Sequence, residues 1–274
     1  MKILKSTGLT DTFDEKKLHL SLAKAGVPEA DIPEIINEVS RGVKENMKST
    51  EIFKKSCSLL GKRSKQWAGR YRLKRAILEL GPSGFNFEQL VSKLFQRKAY
   101  ETRTNLIMTG QCIDHEVDVR AENEDEIILV ECKFHNHPGY RSDVRTALYI
   151  YSRFEDIKDN PKNSSQKYHR GAIFTNTRFT QDAVKYGQCK GLRLIGWGSP
   201  SDENLQQLLE SAFLYPITCL PVLSNWEKKA LLDSGLLLCS DIRRESQLLK
   251  AGIKTKRIRG ILQEARKLSG PYYS

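Results

Sequence analysis

Residues 81–84 read Gly-Pro-Ser-Gly, and the spacing of apolar residues changes across that tetrapeptide. Before it, Leu18, Leu22 and Ala25, and then Ile32, Ile35, Ile36, Val39 and Val43, recur every three to four positions. That period describes helices with one buried face. After it, residues 113–121 alternate polar and apolar, as a strand with one buried face does. A chain that changes period at a Pro/Gly break folds as a string of small cores rather than as one bundle or one sandwich. Its 274 residues are enough for two or three of them.

The pattern predicts three units. Residues 1–82 read as a short hairpin turning at Gly8, then helices beginning near Asp14 and over 31–46, 50–60 and 64–80. Residues 83–215 read as an α/β layer on a mixed sheet. Its expected order is a helix at 86–97, strands at 100–107, 113–121 and 126–135, and a helix at 143–157. A strand at 170–174, a helix from Thr180, a strand at 191–196 and a helix at 202–214 follow. Residues 216–274 read as helical with short interruptions.

No apolar run approaches the roughly 20 residues of a membrane span, and the basic start runs into no export signal. The six cysteines, at 57, 112, 132, 189, 219 and 239, form no close pair, so reduced thiols in a cytoplasmic protein are expected. The formal charge of +12 favours a polyanionic partner, and its distribution says more than its sum. Residues 41–80 hold twelve Lys/Arg against three Glu, and residues 241–267 hold nine against three acids. Between them, residues 116–131 hold seven carboxylates and one arginine. Basic flanks around an acidic centre suit backbone binding outside and divalent-cation binding within.

Within the acidic centre, alternation puts Asp114, Glu116, Asp118 and Arg120 on one strand face. On the next strand Glu131 and Lys133 share a face, opposite Val130, Cys132 and Phe134. If the strands pair, Asp118 and Glu131 offer hard oxygen ligands to Mg²⁺ or Mn²⁺, with the Lys133 ammonium beside them. Phosphodiester hydrolysis uses that set, because a cation acidifies water and offsets charge developing on phosphorus, while an ammonium stabilises the same charge. The same residues also fit a solvated strand edge with a surface ion pair.

This stretch resembles the Mrr-type branch of the PD-(D/E)xK restriction-endonuclease-like nucleases. The resemblance runs through Phe87-Glu88, Asp118, Glu131-Cys132-Lys133, Phe174 to Thr180 and Gly191 to Ile195, and covers residues 83–215. It implies a restriction-endonuclease-like core and catalytic roles for Glu88, Asp118, Glu131 and Lys133. Asp118 stands in His-Glu-Val-Asp rather than beside the glycine common in that branch, which leaves His115 and Glu116 open. Glu88 fits either a third carboxylate or an exposed first-turn glutamate. Cys132, His135 and His137 lack a fourth partner for zinc, so a buried thiol is expected at Cys132. Tyr149, Arg153, Lys167 and Arg178 are candidates to approach nucleic acid; Arg178 just follows a strand end.

The flanks carry resemblances of their own. Lys5, Gly8, Phe13, Asp14 and Lys17 resemble the opening of an ATP-cone, and Ala68 to Arg72 its closing helix. That implies ATP or dATP held by Lys5 and Lys17, although Ser6 stands where the family usually has arginine. Residues 220–257 resemble helix-hairpin-helix modules, which implies DNA contacts at Gly252, Lys254, Lys256 and Arg257. Helix termination at Gly235 and Gly252 in a protein-binding cap is the alternative. The whole reads as a metal-dependent DNA endonuclease, acting as a homodimer or with a protein partner in defence against foreign DNA. The competing reading is a noncatalytic DNA-binding regulator or adaptor that keeps the nuclease fold.

Overall fold

The computed structural model describes residues 1–5 and 8–272. Ser6 and Thr7, where the expected arginine position falls, lie outside the described residues. Strands β1 (Lys2–Leu4) and β2 (Thr10–Thr12) form the hairpin expected around Gly8. Helix α1 (Glu15–Lys24) starts where the Asp14 carboxylate accepts the amides of Lys16 and Lys17. Helix α2 (Ile32–Ser40) ends six residues sooner than expected, yet Val43 beyond it is still buried. Strand β3 (Met47–Lys48) then lies parallel to β1. Two residues carry no period, which is why the sequence did not announce it.

Helix α3 (Ser49–Arg63) stops at Ser64, whose extended backbone and hydroxyl cap α4 (Lys65–Tyr71) by accepting the Trp67 amide. The single helix expected over 64–80 is therefore α4 followed by α5 (Leu73–Leu78), separated at Arg72. Leu22, Ile32, Ile35, Val39, Leu60 and Ala68 have no solvent exposure and make this core. Each fully buried aliphatic side chain there stabilises the fold by about 1.5–3 kcal/mol.

Beyond residue 80 comes a mixed sheet with helices on its faces. In chain order it contains α6 (Phe85–Arg97), β4 (Glu101–Thr109), β5 (Asp114–Glu122), β6 (Glu126–Lys133) and β7 (Arg141–Ser142). Helix α7 (Val144–Asp159), β8 (Tyr168–Thr175), β9 (Arg178–Phe179), α8 (Gln181–Lys190), β10 (Arg193–Ile195) and α9 (Leu205–Ser211) complete it. The strand order is β10-β8-β6-β5-β4, parallel from β10 to β6 and antiparallel from β6 to β4. Every residue of β6 from Ile127 to Cys132 is buried, as a central strand covered on both faces must be. Ile127 and Leu129 pack with Ile150, Phe154 and Ala183 of α7 and α8. Phe87 of α6 stacks at 5.8 Å on Phe134, which follows β6. The pair β7 and β9 forms a separate two-stranded parallel sheet that no periodicity foreshadowed.

Helices α10 (Asn225–Asp233), α11 (Glu245–Lys250) and α12 (Thr255–Ser269) complete the chain. They do not stand alone. Residues 1–79 and 215–274 cluster as one compact unit, and residues 80–214 as the other. Ile258, Ile261, Ala265 and Leu268 of α12 are buried in the first of these units. The Thr218 hydroxyl donates to the Ala76 carbonyl (2.7 Å), Lys228 meets Glu79 (3.0 Å), and Gln66 donates to the Lys267 carbonyl (2.9 Å). Among the described residues no helix is long and apolar enough to cross a membrane.

Candidate functional site

The centre of the sheet opens where the acidic residues lie. Strands β5 and β6 pair from Glu122↔Ile127 to Val119↔Val130 and no further. Strand β6 stays with β8 as far as Lys133↔Thr175, while β5 stays with β4 as far as Asp114↔Thr109. The fork therefore begins at Asp118 and Glu131. Asn105 sits across from Asp118 with φ at +52°, a left-handed conformation that asparagine tolerates. The Thr104↔Val119 and Leu106↔Val117 pairs flank it without a change of register.

At the fork the Cys132 amide has no β5 carbonyl to reach, and it donates to Asp118 Oδ2 at 2.6 Å. Glu131 is 4% exposed, with Lys133 Nζ 2.5 Å from Oε1 and Arg153 Nη1 2.7 Å from Oε2. Arg153 also donates to the Glu116 carbonyl (3.1 Å) and the Tyr149 hydroxyl (3.1 Å), and its guanidinium lies 4.8 Å from the Tyr149 ring centre. Glu131 is thus a buried carboxylate with two cationic partners, the arrangement that makes such burial tolerable.

Glu88, half-buried in the first turn of α6, faces the same space without such a partner. Burial first, and then the charges of Asp118, Glu116 and Glu131, push its carboxyl up to about 7. Asp118 is pushed up to about 6 by burial and by Glu131, against the lowering effect of the Cys132 amide. Two carboxylates raised by burial and by neighbouring carboxylates are an unsatisfied demand for positive charge. Among the described residues no group of three or more His, Cys, Asp or Glu is arranged to hold a metal ion. Mg²⁺, however, is commonly bound by one or two carboxylates with water and substrate phosphate, and the hard oxygens of Asp118 and Glu131 fit that requirement.

Of the sequence candidates, Glu88, Asp118, Glu131 and Lys133 come together here. Cys132 is a buried thiol, raised well above its ordinary range by burial. His115 leaves the centre to bond Asp156 at 2.7 Å, while His135 stacks on Tyr140 at 4.3 Å and meets Ser142 at 3.1 Å. Burial and then Lys133 lower the His135 pKa. Lys167 meets Glu122 at 2.7 Å. Arg178 is exposed at the start of β9. Sequence reasoning placed Arg153 near nucleic acid and missed that it grips Glu131. The available signal was Tyr149 and Arg153 four residues apart on one helix face.

In the other unit, Lys5 and Lys17 do converge, but on Asp11, at 2.8 and 3.6 Å. The hydrogen bond from Lys5, then the Thr12 amide, holds Asp11 down at about 2. Gly252, with φ at +76°, ends α11, and its amide donates to the Leu249 carbonyl at 2.9 Å rather than outward. Arg257 turns inward to Glu227 and the Val222 carbonyl. Lys254 and Lys256 are exposed.

Comparison with known proteins adds the following. A family model described as a restriction endonuclease, of the Mrr catalytic type, matches residues 81–197, and one described as AF1548-like, C-terminal, matches residues 215–269. An uncharacterized protein of Archaeoglobus fulgidus is 38% identical over 186 residues, covering 66% of this chain and all of that protein. The crystal structure of AF1548, a protein of unknown function, aligns at a TM-score of 0.56 and 36% identity, covering 69% of this chain and 99% of that one.

Proposed function

We propose that this chain, which belongs to the AF1548-like family and carries a Mrr-type restriction-endonuclease-like domain, is a Mg²⁺- or Mn²⁺-dependent DNA endonuclease. The observation that carries this reading is the convergence of Glu88, Asp118 and Glu131 with Lys133 at the fork between β5 and β6. A bound cation would offset charge developing on the phosphorus and acidify water. Asp118 and Glu131 would hold it. Asp118 keeps one oxygen free of the Cys132 amide, and Lys133 carries an ammonium that can shift from Glu131 to a phosphate oxygen. Glu88, with its carboxyl near 7, can exchange a proton with water at neutral pH.

The exposed Lys254 and Lys256 are assigned to the DNA backbone, and Lys5 with Lys17 to the phosphates of ATP or dATP as a regulatory ligand. The helix-hairpin-helix and ATP-cone assignments of the flanks, action as a dimer or with a protein partner, and a role against foreign DNA belong to the same proposal.

A second reading is a DNA-binding protein that retains this fold without cleaving. It is favoured by Arg153, which holds the Glu131 oxygen that a cation needs. Cleavage of supercoiled plasmid by wild type and Lys133→Ala, in Mg²⁺, Mn²⁺ or EDTA and with or without ATP and dATP, separates the two. Metal-dependent nicking by wild type and not by the variant supports the nuclease. Intact DNA binding with no cleavage in any condition supports the second reading.

A further inference from the structure

Strands β7 and β9 place two arginines side by side. They run parallel, with Arg141 in register with Arg178 and Ser142 with Phe179. In both strands the first residue is exposed and the second buried, so both arginine side chains leave from one face of the ribbon. Neighbouring strands lie about 4.8 Å apart, and like charges directly opposite one another destabilise a sheet.

Among the described residues neither arginine forms an ion pair; Asp143, two residues from Arg141, is engaged by Arg145 and by the Thr146 amide at the start of α7, and Asp182, four residues after Arg178, lies exposed in the first turn of α8. The ribbon is nonetheless firmly held. The Thr180 amide donates to the Ser142 carbonyl (3.0 Å), and the Trp197 amide donates to the Thr177 carbonyl (2.6 Å). Asn176 exchanges hydrogen bonds with the His135 backbone at 2.9 and 2.8 Å. A Cβ on Gly196 would stand 3.0 Å from the Thr177 carbonyl oxygen and 3.5 Å from the Arg178 Cα, so the approach that fixes β9 leaves little room for a side chain there. Two unneutralised guanidinium groups on a rigid, exposed ribbon are prepared for a doubly contacted anion.

The ribbon continues directly from the fork. Thr175 pairs with Lys133, and Arg178 follows three residues later through a bend at Asn176 and Thr177, so the Cα atoms of Thr175 and Arg178 lie no more than about 10 Å apart.

We propose that Arg141 and Arg178 together clamp one backbone phosphate of duplex DNA, close to the phosphate presented to Lys133. The proposal deepens the DNA-cleaving reading and rests on it for the substrate.

The test uses the full-length protein and a short fluorescent DNA duplex in EDTA, so that binding is read without cleavage. Anisotropy is followed across a salt series for wild type, Arg141→Gln, Arg178→Gln, the double variant and Arg145→Gln. Inorganic phosphate and dATP serve as competitors. The double variant is expected to lose about ten-fold or more in affinity, and its log–log salt slope to flatten by about 0.9, the value for one neutralised phosphate. Arg145→Gln is expected to bind as wild type does, because its partner is Asp143. Wild-type affinity and slope in the double variant overturn the clamp, as does a wild type that binds no duplex. Loss of dATP or inorganic phosphate binding with DNA binding unchanged overturns it as well. If the clamp fails while Lys133→Ala abolishes cleavage, only the clamp is lost. If the arginines govern binding and no metal supports cleavage, the clamp stands and the catalytic reading is lost.

Discussion

The fork in the sheet and the β1–β2 hairpin both gather charged side chains, with opposite results. At the hairpin, Asp11 sits between Lys5 and Lys17 near solvent, and its carboxyl is held low. At the fork, Glu88 and Asp118 are partly or largely removed from water beside other carboxylates, and both are held high. The difference lies first in burial, and then in who supplies the countercharge. The hairpin carries its own cations, whereas the fork gives its cations, Lys133 and Arg153, to Glu131 and leaves the other two acids short. Exposed ion pairs contribute little to stability, while crowded buried carboxylates can be relieved by a ligand.

The harshest way to break this contrast is to remove the fork's ammonium. Lys133→Ala is expected to lower plasmid cleavage by about 10²-fold or more, the usual effect of deleting one transition-state charge donor, and to leave duplex binding in place. Quantitative gel assays of nicking rate check it. Next in size is Arg153→Ala, which leaves Glu131 buried with one partner. Chemical denaturation should show a loss of about 3 kcal/mol, as for a broken buried pair.

A pH experiment sharpens the comparison. Glu88 and Asp118 have folded-state pKa values above their unfolded ones, so the folded form binds more protons between about pH 4 and 7, and their contribution to stability falls as pH rises through that window. Mn²⁺ should therefore raise Tm more at pH 8 than at pH 5. Glu88→Gln should reduce both the pH dependence and the gain from the metal. Asp11 behaves oppositely, with stability present above its unfolded pKa and lost as pH falls towards about 2. The smallest effect belongs to the hairpin. Lys5→Ala should leave the denaturation midpoint close to that of wild type, while calorimetric titration with dATP should show weakened binding if the lysines hold phosphate. Unchanged dATP affinity would remove the nucleotide role.

Much of the central layer was legible because strand parity is local. Alternation in Asp114 to Glu122 and the grouping of Glu131 with Lys133 apart from Cys132 follow from side chains switching faces at every residue. The parting of β5 from β6 was not legible, since it depends on which backbone amides lose their partners and on Asn105 in another strand. Gly252 shows a different limit. Its φ marks a turn, and a glycine in that position serves a phosphate-binding hairpin and a helix end equally; the hydrogen bond to Leu249 assigns its amide to the helix end.

By itself the sequence determined the period change at residues 81–84, the helix starts near Asp14 and Ser64, and the glutamate and lysine of the Glu131-Cys132-Lys133 strand, because each depends on neighbours within a few positions. Tertiary structure alone decided that the two flanks form one compact unit, that Arg153 guards Glu131 while Arg257 turns to Glu227, and that Arg141 lies beside Arg178. Those pairings join residues 22 to more than 100 positions apart, and electrostatic energy depends on distance and burial in space, which separation along the chain does not encode.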